Sequence, residues 1–588
     1  MNSKGRNISL DIIKGIAIIA VVLYHLGVSK YGYLGVDLFF VISGYLVARS
    51  IIKNFVQDNF SYWSYLNKRI SRLWPGLILI SAVALGLGGV FMMSLHYKLA
   101  CEAVVGTNFF VNNIIQYITS GDYWEAANEY KPLMHTWYVG ILVQFYLIFP
   151  LIFIIAKKFS CQWKRCSFYI TAVLSLLSIM VYVSPLMTDT QDFYLLPGRF
   201  FELGVGSMLA LLLMQEDDNQ TNVYFLSFVV LLCFALAVVF GWEINVIKLR
   251  LITVVFAAVL LVGFSNHFSI SPALQKVLYP LSFLGVASYS LYLSHQVFFA
   301  FYRYVVNSLF TTYTYVWVLL ASLVIGIAMY FLFEKPISNY ISKKSTNMYK
   351  VNVACLVLAI AISTIAVYYY RQDGMVRDIP ELGLYVGQNN QTPGQYNDAP
   401  RQLNIDFPNN GKKNIYVIGD SFGRDFVNIL QAAGVDSVMN ISYTMYVDKN
   451  TKPRIKKADY VFVATNLPFF SSYNYNEIYP DLFSRKFYRL GLKSFSRYYI
   501  GNIYKNRNKA DYYTATGSEN ETTKEINAKE KPLFGDNFID MMAPITGRDG
   551  KVRLFTDDKK LITQDGIHLT KAGAQLYAKR MNVWKYLK

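Results

Sequence analysis

The sequence predicts a polytopic bundle of about ten membrane-crossing helices plus one linking helix, followed by a separately folded α/β domain. Three observations carry this reading. Of the 588 residues, 54% are hydrophobic and 16% aromatic, a composition too apolar, in a chain too long, for one water-soluble domain. Apolar runs close to the roughly 17 to 25 residues that cross a bilayer recur as far as residue 369. Past Arg371 the chain turns polar, and a strand-turn-helix pattern replaces the runs.

The runs fall at residues 10–27, 33–53, 75–95, 138–157, 168–185, 200–215, 223–241, 249–265, 280–306, 314–334 and 351–369. No small-residue cleavage pattern follows the first run and another begins almost at once, so it is expected to stay in the membrane. Lys4 and Arg6 precede it; Arg49, Lys53, Lys68, Arg69 and Arg72 follow the second run. Lys157, Lys158, Lys164 and Arg165 follow the fourth, and Lys335, Lys343, Lys344 and Lys350 the tenth. If the runs alternate across the membrane, these cations share one side, which the positive-inside bias makes cytoplasmic. The acidic loop from Gln215 to Gln220 departs from that trend. Eleven crossings from a cytoplasmic N-terminus put the tail outside.

The domains expected are therefore a transmembrane domain at 1–345, a linking helix and linker at 346–412, and an extracytoplasmic domain at 413–588. Pro, Asn and Gly crowd residues 387–413, the signature of a linker. The formal charge of +18 suits anionic lipid headgroups or an anionic envelope polymer. With no nucleic-acid motif or aromatic ladder, nucleic acid is not an expected partner. The five cysteines, Cys101, Cys161, Cys166, Cys233 and Cys355, all precede the tail, which leaves that domain without a disulfide or a thiol nucleophile. No Cys/His spacing suggests a metal.

The first run, LDIIKGIAIIAVVLYHL (Leu10 to Leu26), carries Asp11, Lys14 and His25. An ionisable residue in a span costs about 2.5 to 3.5 kcal/mol on insertion scales and by default marks a pathway or a site. Eleven helical steps bring Lys14 and His25 onto one stripe, about 16 Å apart along the axis. Asp11 joins the same stripe. A plainer reading has Asp11 and Lys14 pairing at the inner interface, and His25 hydrogen-bonded near the outer one.

This basic residue and histidine, followed by GYLGVDLFFVISGYL (Gly32 to Leu46) and RISRLWP (Arg69 to Pro75), resemble the acyltransferase 3 family of membrane acyltransferases. The series continues in order through PLMHTW (132–137), QFYLIFP (144–150), YLLPGRFFELGVG (194–206), SYSLYLSH (288–295) and FEKP (333–336). The resemblance implies transfer of an acyl group, usually acetyl, from cytoplasmic acetyl-CoA to a hydroxyl of an extracytoplasmic glycan. It also implies a bacterial cytoplasmic membrane and His25 as the essential base, with Lys14 in the basic position. A neutral imidazole there removes the proton of an attacking hydroxyl, a role worth about 10² to 10⁴-fold, or carries the acetyl itself; both remain open. Lys14 favours the CoA phosphates or holds Asp11. Arg69 and Arg72 are either further anion contacts or ordinary inside-positive charge. Asp37, Arg199 and Glu202 read first as a buried ion pair between helices, with a site role the alternative; His135, His295 and Glu334 serve the site or satisfy neighbouring groups. Two departures from the family pattern stand out. Leu142 and Val143 occupy positions where relatives commonly have Glu, and Val297 replaces a usual proline.

The tail has its own signature. KKNIYVIGDSFGRDFVNIL (Lys412 to Leu430) reads as a buried strand at Ile415–Ile418, a Gly-Asp-Ser turn with Ser421, and an amphipathic helix. Near the end, QDGIHLTKAGAQLYAKRM places Asp565 and His568 so that the carboxylate can orient an imidazole facing a serine. GDS plus DxxH resembles the SGNH hydrolases, a three-layer α/β fold. That resemblance expects an oxyanion hole from the serine amide, a glycine and an asparagine. Asn466, after DYVFVAT, is the candidate side chain and Gly434 a candidate glycine. Asp425, one turn past Ser421, is expected at the surface.

Together the parts predict a two-stage O-acetyltransferase of a cell-surface polysaccharide such as lipopolysaccharide O-antigen or capsule. Peptidoglycan is the alternative acceptor. A transporter-like bundle with an attached esterase is the alternative from another class.

Overall fold

The computed structural model describes residues 8–119, 128–160, 162–184, 187–214, 246–266, 272–306, 312–388, 391–466, 468–469, 475–495 and 500–588. The chain divides into two compact units. The first takes in Met1–Val90, Leu99–Phe301 and Phe310–Tyr370, and the second Phe91–Lys98, Tyr302–Leu309 and Arg371–Lys588.

Apolar runs become helices in the first unit because a backbone in hydrocarbon must satisfy its own polar groups. In order these are α1 (Ile8–Leu26), α2 (Leu34–Val56), α3 (Tyr62–Phe91), α4 (Ser94–Asn108), α5 (Asn112–Thr119), α6 (Trp137–Phe159), α7 (Trp163–Val183), α8 (Asp189–Tyr194) and α9 (Leu196–Leu213). After these come α10 (Val246–Asn266), α11 (Pro272–Val286), α12 (Ser288–Val305), α13 (Thr312–Met329), α14 (Lys335–Lys343) and α15 (Ser345–Arg371), with the Ser94–Lys98 end of α4 and the Tyr302–Val305 end of α12 counted in the second unit. Among the described residues eight helices are long and apolar enough to cross a membrane, nine if the bent pair α11–α12 counts as one. This is a multi-pass membrane protein.

The expected run at 223–241 and the acidic loop at 215–220 lie outside the described residues. Three other runs differ from expectation. The third helix begins at Tyr62, not at residue 75, and carries Arg69 and Arg72 on its own surface with Pro75 inside it. Hydropathy cuts a helix where charge begins, whereas good helix formers such as Leu66, Lys68 and Arg69 continue it. The run 280–306 is broken, its two helices meeting at 65° around Ala287, next to Gly285 and Ser288, residues typical of kinks. After α13 a five-residue π turn, Tyr330–Glu334, precedes α14. Pro336 has no amide to donate back to this turn, so the wider winding accommodates its ring.

Small residues set the helix crossings. A Cβ on Gly44 would stand 1.9 Å from the Leu203 carbonyl oxygen, and one on Gly206 would stand 1.9 Å from that of Val41. Helices α2 and α9 thus touch backbone to backbone, as small-residue membrane interfaces do. The same pair is tied by charge: Arg199 Nη1 lies 3.1 Å from Asp37 Oδ1 and 2.8 Å from Glu202 Oε1, all buried. Helices α1 and α11 cross equally closely, a Cβ on Gly285 falling 1.7 Å from the Asp11 carbonyl oxygen.

The second unit is built on a five-stranded parallel sheet of order β2-β1-β3-β4-β6. Its strands are β1 (Asn414–Ile418), β2 (Asn440–Thr444), β3 (Tyr460–Val463), β4 (Lys486–Leu490) and β6 (Phe538–Ile539). The short β5 (Thr516–Gly517) pairs with β7 (Val552–Arg553) in a separate antiparallel ribbon. Buried on both faces, β1 and β3 read as the unbroken apolar runs IYVI and YVFV. The helices are α16 (Pro393–Asp398), α17 (Ser421–Ala432), α18 (Thr451–Lys457), α19 (Tyr475–Leu482), α20 (Ile500–Lys505), α21 (Glu521–Phe534) and α22 (Lys571–Met581). Tyr416, Ile418, Val461, Val463, Phe469 and Phe487 lead a core cluster on the sheet.

Part of the stretch expected as a linker, residues 392–403, folds into helical turns. Thr392 caps α16 through a capping box, Pro393 and Pro400 are buried, and Asn397 is fully buried against α17. Proline and asparagine here serve a helix N-terminus and a buried hydrogen bond, not flexibility.

Candidate active site

The strand order reverses at β1: the chain goes from β1 outward to β2, then returns to place β3 on the other side of β1. Right-handed crossovers put the two connecting segments on opposite faces, which opens a crevice at the carboxyl ends of β1 and β3. Ser421 follows β1 and Asn466 follows β3, so both stand at that crevice.

Glycine is required at the turn itself, because a Cβ on Gly419 would lie 1.7 Å from the Ala464 carbonyl oxygen. Asp420 then caps α17, accepting from the Phe422 amide at 2.9 Å and, through its other oxygen, from the Asn466 amide at 2.7 Å. One buried carboxylate thereby ties the serine turn to the Asn466 loop. Burial pushes the Asp420 carboxyl up, opposed by those two amide bonds and by the nearby His568 and Lys493.

Ser421 is the first residue of α17 and fully buried. Its Oγ lies 3.0 Å from His568 Nε2. His568 Nδ1 meets Asp565 Oδ2 in a short hydrogen bond, and the other Asp565 oxygen accepts from the amides of Ile567 and His568 at 2.9 and 2.8 Å. The structure therefore brings together Ser421, His568 and Asp565, which the sequence separates by more than a hundred residues. A serine hydroxyl, an imidazole and a carboxylate in this file can activate the hydroxyl as a nucleophile.

Gly434 is not part of this site. It adopts a left-handed conformation at φ +73 beyond the far end of α17, where it caps the helix, about 18 Å along the axis from Ser421. Asp425 is not at the surface: its side chain is fully buried and 2.6 Å from Lys493 Nζ. It also accepts from Asn397 Nδ2 at 2.6 Å and from the Leu569 amide at 3.2 Å. Because Leu569 follows His568, Asp425 anchors the imidazole loop to the helix that carries Ser421. The Lys493 ammonium lies 3.9 Å from the centroid of the Phe422 ring. Sequence reasoning missed Asn397 and Lys493 altogether; for Asp425 the signal was there, since it sits one turn from Ser421 on the same face of α17.

In the first unit α1 is unbroken from Ile8 to Leu26, so Lys14 and His25 keep their common stripe. Lys14 Nζ is 3.7 Å from Asp11 Oδ1, the pairing that the plainer reading of these two residues describes. Arg69 holds its guanidinium between two rings, 5.5 Å from Tyr65 and 5.6 Å from Tyr146. Arg72 acts electrostatically on Glu334, whose Oε2 accepts from Ser290 Oγ at 2.5 Å.

His25 has company that spacing alone does not reveal. Its ring centroid is 5.2 Å from that of His295, which in turn is 5.2 Å from that of His135. Three of the six histidines, contributed by α1, by the turn before α6 and by α12, form one file. The motifs PLMHTW and SYSLYLSH supplied two of them, but no periodicity joins residues on different helices.

A family model described as an acyltransferase domain matches residues 7–335. Among curated proteins, the chain is 26% identical over 346 residues to "O-acetyltransferase OatA" of Staphylococcus aureus, covering 56% of each. It is 27% identical over 307 residues to "Peptidoglycan O-acetyltransferase OatA" of Listeria monocytogenes, covering 49% of this chain and 48% of that one. An uncharacterised protein of Haemophilus influenzae is 31% identical over 182 residues, 30% of this chain and 73% of its own length. The chain spans about half the length of the two named relatives.

Proposed function

The chain belongs to the acyltransferase family, and on that premise we propose that it is a membrane O-acetyltransferase moving acetyl from cytoplasmic acetyl-CoA to hydroxyls of a cell-envelope glycan. The observation that carries this reading is the presence, in one chain, of an acyltransferase bundle and a buried Ser421–His568–Asp565 file. The N-terminus is cytoplasmic and the C-terminal domain, of SGNH type, lies outside.

In the bundle, His25 removes a proton from the attacking group or takes the acetyl itself, while Lys14, Arg69 and Arg72 offer cations to the CoA phosphates. Exclusion of water from the buried site lets transfer outrun hydrolysis. In the C-terminal domain Ser421 Oγ attacks the acetyl carbonyl and its proton passes to His568 Nε2, which delivers it to the departing group. The resulting acetyl ester is attacked by a sugar hydroxyl. His568 takes that proton and returns it to Ser421, so the glycan keeps the acetyl and the serine is regenerated. Asp565 holds the imidazole and stabilises its charged form throughout. The Ser421 amide and the Asn466 side chain are the oxyanion donors, each worth about 2.7 to 4 kcal/mol when aimed at the developing charge.

Peptidoglycan is the first acceptor to test, because the printed name of the Listeria relative specifies it. A surface polysaccharide such as O-antigen or capsule is the second reading, since the family match ends at residue 335 and the domain that meets the acceptor in this scheme lies beyond it. Liposomes holding the full-length protein, with labelled acetyl-CoA inside and either glycan outside, test both. Label on peptidoglycan fragments is the expected result, and label on O-antigen or capsule alone supports the second reading. Label released outside as intact acetyl-CoA, with neither glycan modified, makes the bundle a transporter.

A further inference from the structure

Two histidines of the file have an unusual hydrogen-bond state. His295 Nδ1 lies 3.1 Å from the Leu291 carbonyl, and His135 Nε2 lies 3.2 Å from the Leu293 carbonyl. A carbonyl oxygen only accepts, so each of these ring nitrogens carries the proton and the other nitrogen of each ring is a bare acceptor. Those acceptors, His295 Nε2 and His135 Nδ1, are buried and have no hydrogen-bond partner among the described residues. Both side chains are almost wholly enclosed, at 0% and 1% exposure. An unfilled buried acceptor is costly, about 1 to 3 kcal/mol, and leaves room for a donor.

We propose that His295 is the positioning residue for His25: its bare Nε2 accepts the ring N–H of His25 and holds the other His25 nitrogen toward the reacting acyl group. The inference rests on the reading of His25 as the base or acyl carrier of the bundle. His25 is half-buried, whereas His295 is clamped by the Leu291 bond and packed between His25, Tyr292, Phe299 and His135. A small rotation of the His25 ring closes the 5.2 Å ring separation to a hydrogen bond, as catalytic hydrogen bonds often tighten only with substrate in place. Behind them His135 is fixed at both ends, its ring on the Leu293 carbonyl and its own carbonyl taking the Tyr292 hydroxyl. The logic is that of Asp565 and His568 in the same chain, with a neutral acceptor replacing the carboxylate. Within a bundle that substitution avoids burying an unpaired charge.

The test uses full-length protein in liposomes with acetyl-CoA and glycan acceptor. His295→Phe keeps the aromatic volume and removes the acceptor. We expect kcat to fall roughly 10²-fold or more with the KM for acetyl-CoA within about twofold, since orientation and not binding is lost. His295→Gln, which keeps an acceptor, is expected to recover at least about tenfold of that loss. Wild-type kcat in His295→Phe, or no recovery in His295→Gln, overturns the proposal. Should His295→Phe not fold, nitrogen NMR of histidine-labelled wild-type protein serves: a non-hydrolysable acetyl-CoA analogue should shift His295 Nε2 from the bare to the hydrogen-bonded range, and an unchanged signal overturns it. His25→Ala separates the two layers. Activity in His25→Ala removes the underlying reading, while an inactive His25→Ala beside an unaffected His295→Phe removes only this inference.

Discussion

Asp565 has opposing influences on its charge. Burial pushes its carboxyl up, but the His568 imidazole and hydrogen bonds from the His568 ring and amide and the Ile567 amide outweigh burial and hold it well below the usual carboxylate range. A folded value below the unfolded one, about 3.9, means that Asp565 contributes its full stabilisation above that pH. The contribution fades as pH falls toward the folded value. Asp565→Asn is therefore expected to flatten the acid limb of the unfolding curve, measured by pH titration of full-length protein. It is also expected to lower turnover of an acetyl-ester reporter roughly 10⁴-fold with little change in KM; a loss under tenfold would remove Asp565 from the file. Ser421, His568 and Asp565 were legible because each stands in a local pattern, GDS after an apolar strand or DxxH before a helix. Asp425 was misjudged because its partners, Asn397, Lys493 and the Leu569 amide, come from distant parts of the chain, and an acidic residue without a visible partner is ordinarily solvated.

At the scale of elements, the contact of α1 with α11 decides where the first helix holds its ionisable stripe. Gly285 has no room for a methyl, since its Cβ would overlap the Asp11 carbonyl, in the same turn that pairs with Lys14. Gly285→Ala should force the helices apart, costing about 1 to 3 kcal/mol and lowering acetyl-CoA turnover at least several-fold. Gly86→Ala on α3, where a Cβ meets nothing within 4 Å, is the control. It should leave turnover unchanged and melting unchanged or slightly raised, by up to about 1 kcal/mol. Thermal melting and turnover measured on both variants check this, and equal behaviour would sink it. Hydropathy located most of these helices because membrane burial leaves an uninterrupted apolar record. It missed the 65° break at Ala287 and the π turn before Pro336. Both are responses of backbone geometry to neighbours and to a missing amide, neither of which alters mean hydropathy. Residues 392–403 were misread for a related reason: Pro, Asn and Gly mark a departure from apolar runs, and only the burial of Asn397 and Pro393 shows that the departure is into packed structure.

For the whole molecule, the proposed scheme divides one reaction between two units that fold around separate cores, and this makes their failures separable. His25→Ala should abolish consumption of acetyl-CoA while leaving hydrolysis of an acetyl-ester reporter at the wild-type rate, because Ser421, His568 and Asp565 hydrogen-bond to one another within the second unit. Ser421→Ala should lose reporter hydrolysis to the background level, roughly 10⁶-fold for a triad serine, and leave the bundle able to release CoA slowly to water. Both variants should fail to acetylate glycan, since a scheme in series needs each step. The informative comparison is a mixture of the two variant proteins in one liposome population. If acetyl passes from bundle to serine within a chain, the mixture stays inactive; if an acetylated small carrier is released between the steps, activity returns in proportion to both proteins. Wild-type glycan acetylation by either variant alone would show that the reaction does not run through that residue. A Ser421→Ala protein that still acetylates would reduce the C-terminal domain to an esterase acting after the fact, because a serine that only removes acetyl groups is dispensable for adding them.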